Sequence, residues 1–328
     1  MLVLSKSDVR KSITMKEAMD ELENTFVQYS MGDTKTPLRI HLELDQVNGV
    51  GLFMPSWLEA NKIMGTKSLS VYSDNPSKER PAIQGTMQLF DGITGEVLTV
   101  MEASYLTKLR TGASSGVATR YLAPKQSKTA AILGTGGQAR CQLMAILTAM
   151  PSIENVKLYN RTKEKADKFK ADMEKEFSGI NFYIENSPRK AVENAQIITT
   201  CTNSKDPVID KRDLDQKVHI NAVGAFKPEM QEISEDIITS ADKLIADNKE
   251  GAIEESGDLK IPLKNGLESN RVKEIGEVIS RQIPSREDKD DITVYESVGM
   301  GCLDVAVAGV AYKKALETRT GQKIDIMD

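Results

Sequence analysis

The 328-residue chain has few of the residues that build disulfide frameworks or metal sites. Its three cysteines, Cys141, Cys201 and Cys302, lie far apart and form no CxxC pair. An odd, scattered count of cysteines favours a reducing cytoplasm over a disulfide framework. The only two histidines, His41 and His219, are not spaced as a metal pair, and no Cys/His cluster is present. We therefore expect a cytoplasmic protein without a metal site.

Long apolar runs and basic stretches are also missing from the chain. Because no run of about 18 apolar residues occurs, no transmembrane helix is expected. The N-terminal segment lacks the apolar stretch and small-residue cleavage site of a secretory signal. The net charge of −5 is spread along the chain, with no basic stripe interleaved with aromatic residues. We therefore expect neither nucleic acid nor membrane as a partner, and chemistry that depends on an organic cofactor.

The stretch from about 128 to 250 alternates short apolar runs with amphipathic helical patterns. The runs that predict strands are TAAILG, VKLYN, INFYI, IITTC, VHINAVG and KLIAD. Helices are predicted at GQARCQLMAILTAM, from Thr162 to about Phe177, and after Ser187-Pro188, where proline suits the first helical position. This alternation indicates an α/β fold with a parallel sheet covered by helices on both faces. We place this Rossmann dinucleotide-binding domain at residues 121–303.

The N-terminal 120 residues have the pattern of a sheet-rich α+β region. An amphipathic helix is predicted over residues 15–31, with extended segments at LRIHLEL, VGLFMPSW and KSLSVYS. Two further strands are predicted to flank a turn at residues 91–95. The last 25 residues contain a long helix rich in Ala, Val and Gly, which favours packing over solvation. We expect that helix to return to the N-terminal domain, which is then discontinuous, 1–120 and 304–328.

A glycine-rich turn supplies the strongest single motif. It follows a predicted strand and opens a predicted helix, which is the context that the dinucleotide fingerprint requires. Gly134 would allow the tight turn, Gly136 the close approach of a pyrophosphate, and Ala139 close helix–strand packing. The pyrophosphate would then lie at the helix N-terminus. A turn without a ligand is the alternative. The predicted cofactor-binding residues of this motif are Gly134, Thr135, Gly136, Gly137, Gln138 and Ala139.

The end of the second strand of this unit bears on the choice of cofactor. An NAD site usually has an acidic residue there, for the ribose hydroxyls, whereas this chain has Asn160, Arg161 and Thr162. A guanidinium and a hydroxyl suit a 2′-phosphate. The alternative is a surface arginine beside a threonine that only caps the next helix. We favour NADP(H), with NAD(H) possible.

Three cationic residues of the N-terminal half stand in apolar surroundings: Arg39 in PLRIHL, Lys67 in MGTKSLSVY and Arg110 in LTKLRTGASSG. Each alone is more typical of a solvated surface charge. Together they predict an anion site, because arginines hold carboxylates in a bidentate manner and a partly buried lysine can donate a proton.

With these residues, the chain resembles the ornithine cyclodeaminase/mu-crystallin family over nearly its whole length. A run of ordered landmarks is more specific than the glycine motif alone. The landmarks are Pro37-x-Arg39, Met54-Pro55, Gly65-Thr66-Lys67, Asn75, Pro81, Gly85, Asp91-Gly92-x-Thr94-Gly95, Leu106-Thr107-x-x-Arg110-Thr111-Gly112-Ala113-Ser114, the turn at 134–139 and Ser297-Val298-Gly299.

The resemblance implies a homodimer whose N-terminal sheets pack across the two-fold axis, so that residues 1–120 and 304–328 serve substrate binding and dimerisation. It also implies that Arg39, Lys67 and Arg110 surround the carboxylate of an amino or imino acid. The residues that it assigns to the cofactor, mostly on the nicotinamide side, are Thr111, Cys201, Thr202, Asn203, Val223, Gly224, Ser297, Val298 and Gly299.

Two departures from the cyclodeaminase pattern narrow the expected chemistry. Phe226 occupies a position that is acidic in the cyclodeaminases, and Leu52 stands in place of a second carboxylate. Neither side chain can accept a proton. Phe226 would stack on an apolar ring, close the pocket, or simply pack beneath its loop. Loss of both acids disfavours internal deamination and leaves the reduction of a preformed imine.

We therefore expect an NAD(P)H-dependent oxidoreductase that reduces Δ1-pyrroline-2-carboxylate or Δ1-piperideine-2-carboxylate to L-proline or L-pipecolate. Lys67 is expected to be the catalytic residue, polarising or protonating the imine, while Arg39 and Arg110 orient the substrate. The alternatives are ornithine cyclodeaminase and an alanine-dehydrogenase-like activity. A non-enzymatic NADPH-dependent ligand-binding protein of mu-crystallin type is disfavoured, because the cationic set is complete.

Overall fold

A computed structural model describes residues 1–215 and 217–325 of the chain. Contacts between Cα atoms divide it into two compact units, one formed by Met1–Arg110 with Met300–Asp328 and the other by Thr111–Gly299. Composition placed the corresponding boundaries near residues 120 and 303. The first contact-based boundary falls earlier because it lies inside a continuous helix, where composition does not change.

The first unit is built on an antiparallel sheet. Over the described residues the sheet order is β16-β1-β7-β6-β5-β4-β2, with β3 also paired to β4 and with β1 parallel to β7. Its strands are β1 (Leu2–Leu4), β2 (Thr34–Lys35), β3 (Ile40–Leu44), β4 (Gly49–Leu58), β5 (Ile63–Tyr72), β6 (Ile83–Asp91), β7 (Val97–Glu102) and β16 (Gln322–Lys323). Its helices are α1 (Lys6–Ser12), α2 (Met15–Met31) and α11 (Gly301–Thr318), and α3 (Ala103–Leu122) begins in it.

Helix α2 spans the residues predicted for it, for identifiable local reasons. Thr14 and Glu17 form a capping box at its start, and Gly32 ends it in the left-handed conformation at φ +82°. Spacing of three and four residues puts Ala18, Leu22 and Phe26, among others, on one buried face. The predicted extended segments and the turn after β6 are likewise found.

Helix α11 is buried along most of its length and packs against α2, β4 and β5. Its small residues permit this close approach. A Cβ on Gly301 would lie 2.9 Å from the backbone oxygen of Pro55, so only glycine allows the first turn of the helix to sit against β4. This contact fixes the position of α11 relative to the strands of the sheet.

The second unit is an entirely parallel sheet, as the strand–helix alternation predicted. Within the described ranges its order is β10-β9-β8-β11-β12-β15-β13-β14. The strands are β8 (Thr129–Leu133), β9 (Asn155–Tyr159), β10 (Asn181–Ile184), β11 (Ile197–Thr200), β12 (Val218–Ala222), β13 (Lys243–Ala246), β14 (Val272–Glu274) and β15 (Ile292–Glu296). The helices are α4 (Ala139–Ala149), α5 (Lys163–Glu176), α6 (Pro188–Val192), α7 (Glu235–Ser240), α8 (Lys249–Glu255), α9 (Gly257–Lys264) and α10 (Ile275–Ile279).

Alternate residues of β8 show how helices cover both faces of this sheet. Ala130 and Ile132 belong to the apolar cluster that contains Leu143 of α4 and Phe169 of α5. Ala131 and Leu133 belong to the cluster with residues of α6, α7, α8 and α9. Burial of both faces explains why the strands are continuous apolar runs rather than alternating ones.

Several elements were not predicted, and α3, β14 and β15 are among them. Helix α3 has no amphipathic stripe, because it is surrounded by protein on most sides. Strand β15, with the sequence ITVYE, is fully buried although it carries Thr293 and Glu296. It returns late in the chain to lie between β12 and β13, which no local pattern shows. No helix of the described residues is long and apolar enough to cross a membrane.

Candidate active site

Lys67 is fully buried in the first unit, with 1% of its side chain exposed. It lies in the middle of β5, paired with Met54 of β4 and Met87 of β6. Its Nζ donates a hydrogen bond of 2.7 Å to Oδ2 of Asp304, which is on the first turn of α11 and has no exposed side-chain surface. The charge of the buried Lys67 is thus balanced by Asp304 on α11, the helix that packs against this sheet.

Arg110 completes this buried ion cluster. Its Nε donates to Oδ1 of Asp304 at 3.0 Å, so that each carboxylate oxygen of Asp304 accepts from one cation. Asp304 was not predicted from the sequence. The available signal was a single acid within the otherwise apolar run CLDVAVAGVA, where a buried charge needs a partner.

The electrostatics of the cluster make Lys67 unusual. Burial lowers the pKa of Lys67 to about 7, with Arg110 and Arg39 acting in the same direction and Asp304 opposing them. Burial acts to raise the pKa of Asp304, but Arg110 and Lys67 together bring it below its ordinary value. The carboxylate therefore stays ionised, and the lysine is placed to exchange a proton near neutral pH.

Arg39 is half-buried and precedes β3. Its charge acts on Lys67, so the structure brings all three predicted cations of the first unit into one electrostatic cluster. With one carboxylate among them, the cluster keeps an excess of positive charge when Lys67 is protonated. Such an excess can attract the carboxylate of a small acid.

In the second unit, the glycine-rich turn has the conformation that the motif predicts. Gly134 follows β8 at φ +95°, where an added Cβ would lie 2.8 Å from the backbone oxygen of Cys201. A Cβ on Gly136, by contrast, would meet no atom within 4 Å. The backbone at Gly136 therefore borders open space, as the approach of a pyrophosphate requires. Ala139 is buried and begins α4.

Polar atoms beside this turn also fit a dinucleotide. Oγ1 of Thr135 and Oε1 of Gln138 are buried without a hydrogen-bond partner among the described residues. Gln138 is the N-cap residue of α4 but makes no side-chain capping hydrogen bond, and the N-terminus of a helix favours an anion such as a phosphate. We find that the turn fits a phosphate-bearing cofactor.

The predicted 2′-phosphate residues follow β9. Asn160 accepts from the amide of Thr135 at 3.1 Å and donates to the carbonyl of Thr162 at 2.9 Å, which ties this loop to the glycine-rich turn. Arg161 and Thr162 are exposed. Thr162 precedes α5, but its side chain makes no capping hydrogen bond. The alternative, in which Thr162 serves only to cap α5, therefore lacks the capping hydrogen bond that it requires.

The other predicted cofactor residues follow neighbouring strands of the same sheet. Because parallel strands end at one edge, the loops after β8, β11, β12 and β15 meet there, around the point where the strand order reverses. Thr111 lies in the part of α3 that belongs to this unit. The residues in these loops are Cys201-Thr202-Asn203, Val223-Gly224 and Ser297-Val298-Gly299.

The two positions that depart from the cyclodeaminase pattern differ in their surroundings. Phe226 has 47% of its surface exposed, so the alternative in which it packs beneath its loop is wrong. Leu52 is half-buried on β4, paired with Leu69 and His41. Neither position offers a carboxylate.

The chain belongs to the ornithine cyclodeaminase/mu-crystallin family, whose model matches residues 1–319. This confirms the resemblance seen in the sequence. The chain is 40% identical over 327 residues to the Δ1-pyrroline-2-carboxylate reductase of Bacillus thuringiensis subsp. konkukian (strain 97-27), covering 99% of this chain and 100% of the relative.

Two solved structures of relatives are closely similar. Thermococcus litoralis Δ1-pyrroline-2-carboxylate reductase, in complex with NADH and L-proline, aligns with a TM-score of 0.94 and 37% identity, over 99% of this chain and 100% of that one. An archaeal alanine dehydrogenase dimer with bound NAD aligns with a TM-score of 0.92 and 34% identity, over 100% and 99% of the two chains.

Proposed function

We propose that the chain is an NAD(P)H-dependent reductase that converts a small cyclic imino acid, Δ1-pyrroline-2-carboxylate or Δ1-piperideine-2-carboxylate, to L-proline or L-pipecolate. The observation that carries the proposal is the buried Lys67, held at 2.7 Å by Asp304 among cations. The full-length similarity to two pyrroline-2-carboxylate reductases supports the same substrate class.

Reduction of an imine requires a hydride at carbon and a proton at nitrogen. A bound nicotinamide dinucleotide supplies the hydride. Lys67 donates the proton from Nζ to the imine nitrogen, is left neutral, and regains a proton from water. Arg39 and Arg110 hold the carboxylate of the substrate, and Asp304 fixes the directions of Lys67 and Arg110.

The cofactor would be held by the turn at 134–139 and by the loops at the same sheet edge. We propose NADP(H) as the preferred form. Support comes from the exposed Arg161 beside Thr162, whose hydroxyl is not used in capping, and from the absence of an acid at this position. The solved relatives carry NADH and NAD, so a preference for the phosphorylated cofactor would be a property of this loop.

We infer that the chain forms a homodimer through the sheet of its first unit. Ile40, Leu42, Phe53 and Met64 are exposed, and strand pairing puts them on the face opposite to that of Lys67. An exposed apolar patch of this kind is typical of a subunit interface. The similar alanine dehydrogenase is a dimer, which supports this assignment.

An alanine-dehydrogenase-like activity is the second candidate, favoured by the 34% identity to that archaeal enzyme. Pyruvate and ammonia form a 2-imino acid, so the same cations and the same proton donor would serve. Cyclodeamination of ornithine is disfavoured by the carbon side chains of Leu52 and Phe226.

A cofactor-oxidation screen tests the proposed function. Purified protein is given NADPH or NADH with each cyclic imine, with pyruvate plus ammonia, and is separately given ornithine with NAD. We expect the highest kcat/KM with a cyclic imine. Faster turnover of pyruvate and ammonia would establish the second candidate, and release of ammonia from ornithine would overturn the argument from Leu52 and Phe226. Cofactor binding without turnover of any imine would indicate a ligand-binding protein.

A further inference from the structure

A group of buried carboxyl groups lies at the sheet edge of the second unit. Glu232, Asp258, Glu296 and Asp247 are at most 1% exposed. No lysine or arginine pairs with the first three among the described residues. Within the same ranges, no set of three His, Cys, Asp or Glu residues has the arrangement of a metal site. Backbone amides and serine hydroxyls are among the hydrogen-bond partners of these acids.

Glu232 joins two loops that follow different strands. Its Oε1 accepts from the amide of Thr202, after β11, at 2.5 Å, and its Oε2 accepts from the amide of Gly224, after β12, at 2.6 Å. A Cβ on Gly224 would lie 2.5 Å from this carboxyl group and 2.2 Å from the backbone oxygen of Thr202. Gly224 is therefore needed for the carboxyl group to reach both amides.

Asp258 holds Glu232 in turn. Its Oδ1 accepts from the amides of Glu232 and Ile233 at 2.8 and 3.0 Å. Ser256 accepts from the amide of Asp258 and donates to Glu296, the last residue of β15. The hydrogen bonds thus run without a break from the end of β15 to the loops after β11 and β12.

Asp247 fixes the loop after β15 by accepting hydrogen bonds, as Glu232 does for the loops after β11 and β12. Its Oδ2 accepts from the hydroxyl of Ser297 and from the amide of Gly299, at 2.9 and 2.6 Å. Both residues follow β15. Each predicted nicotinamide-side loop is therefore fixed by a buried acid beneath it.

Burial of so many acids without cations is costly. Burial raises the pKa of Asp258 to about 8, with Glu232 acting in the same direction, and burial also raises the pKa of Glu296 well above its ordinary value. A fold that needed only packing would be more stable with apolar side chains here. We attribute the presence of these acids to their hydrogen bonds, which order the loops after β11, β12 and β15.

We propose that Glu232 is the positioning residue of the nicotinamide half of the cofactor site, because its carboxyl group, held by Asp258, fixes the loops that carry Thr202-Asn203 and Val223-Gly224. The proposal rests on the dinucleotide binding proposed above. It assigns Glu232 no contact with substrate or cofactor.

Glu232→Gln is the most direct variant. A carboxylate has two acceptor oxygens, whereas an amide has one and turns its NH2 donor toward the other N–H group. We expect the Kd for NADH or NADPH to rise about tenfold, the cost of one lost charge-assisted hydrogen bond. The Kd for ADP-ribose, or for its 2′-phosphate, should stay unchanged within about twofold, because these fragments lack the nicotinamide that the loops receive. Glu254→Gln, at an exposed glutamate of α8, is the matched control and should change neither.

The proposal would be overturned if Glu232→Gln weakened the binding of the dinucleotide and of the ADP-ribose fragment equally, or weakened the binding of neither. If Glu232→Gln does not fold, amide hydrogen exchange of the unmodified protein tests the proposal instead. Slow exchange of the Thr202 and Gly224 amides supports the proposal, and exchange at the rate of an exposed loop amide overturns it. Unmodified protein that binds no dinucleotide overturns this proposal together with the proposed function. Protein that binds the dinucleotide but reduces no imine overturns only the reductase assignment.

Discussion

At the scale of single residues, the proposed chemistry depends on Asp304, whose two carboxylate oxygens accept hydrogen bonds from Lys67 and Arg110. The carboxylate of Asp304 favours the charged form of Lys67 through both its charge and its hydrogen bond, and so opposes the lowering of the Lys67 pKa by burial. Removing its charge leaves burial, Arg110 and Arg39 to act on Lys67 without opposition. The pKa of Lys67 would then fall below about 7.

Asp304→Asn should therefore move the alkaline limb of the rate profile to lower pH. In the proposed mechanism the protonated form of Lys67 is the active one, so turnover is expected to be steady below about pH 7 and to fall above it in the unmodified protein. The pH dependence of kcat with one imine, measured for both proteins, checks this. Glu317→Gln, at the exposed end of the same helix, is the control. A limb that stays in place or moves to higher pH would show that Asp304 does not set the protonation of Lys67.

Arg161 is expected to discriminate between the two cofactors. Replacing it with alanine should raise the Kd for NADPH by about tenfold, since one charge-assisted pair with the 2′-phosphate is lost. The Kd for NADH should hardly change, because that cofactor has no phosphate there. Fluorescence titrations with both cofactors make the comparison, with Lys165→Ala on α5 as control. Equal effects on the two cofactors would contradict the preference for NADP(H).

At the scale of elements, the position of α11 against β4 places Asp304 opposite Lys67. Gly301→Ala puts a methyl group 2.9 Å from a backbone oxygen that cannot move aside. We expect about 1–3 kcal/mol of destabilisation, with a loss of activity as Asp304 shifts. Urea unfolding and imine reduction measure the two effects.

Gly309→Ala in the same helix is the matched control. A Cβ there would lie 3.3 Å from Cδ1 of Ile63, the end of a flexible side chain. The better helix propensity of alanine should leave stability unchanged or raise it by up to about 1 kcal/mol. Similar losses for both glycines would show that close packing at the first turn of α11 has no special role.

Sequence patterns predicted those elements whose periodicity is local. Helix α2 and strands β8 to β13 were visible because caps, proline and apolar runs mark their positions. Strand β15 was not visible, because its position between β12 and β13 depends on the whole sheet. Helix α3 was missed for the opposite reason, since burial on most sides leaves no stripe.

The candidate site was predictable to a similar degree. Arg39, Lys67 and Arg110 stood out as cations in apolar surroundings, and the glycine-rich turn by its context. Asp304 and Glu232 did not stand out, because a buried acid is recognised by its partners. Those of Asp304 are 194 and 237 positions away along the chain, and those of Glu232 are up to 30 positions away.

At the scale of the whole molecule, the exposed apolar face of the first unit predicts self-association. Phe53→Glu, at a side chain 38% exposed on the face opposite to Lys67, should convert the proposed dimer to monomer. Sedimentation velocity reports the change, and Tyr183→Glu, at an exposed aromatic of the second unit, is the control. An unmodified protein that sediments as a monomer would contradict the inferred interface.

The central claim is that Lys67 protonates a cyclic imine while the dinucleotide reduces it. The most direct measurement is the formation of L-proline from Δ1-pyrroline-2-carboxylate and NADPH or NADH, by the unmodified protein and by Lys67→Met. The account predicts one proline for each cofactor oxidised. It also predicts a fall in kcat of roughly 10²–10⁴ for the variant, as expected for loss of a general acid, with the Kd for the cofactor unchanged. Absence of proline, or full turnover without Lys67, would contradict it.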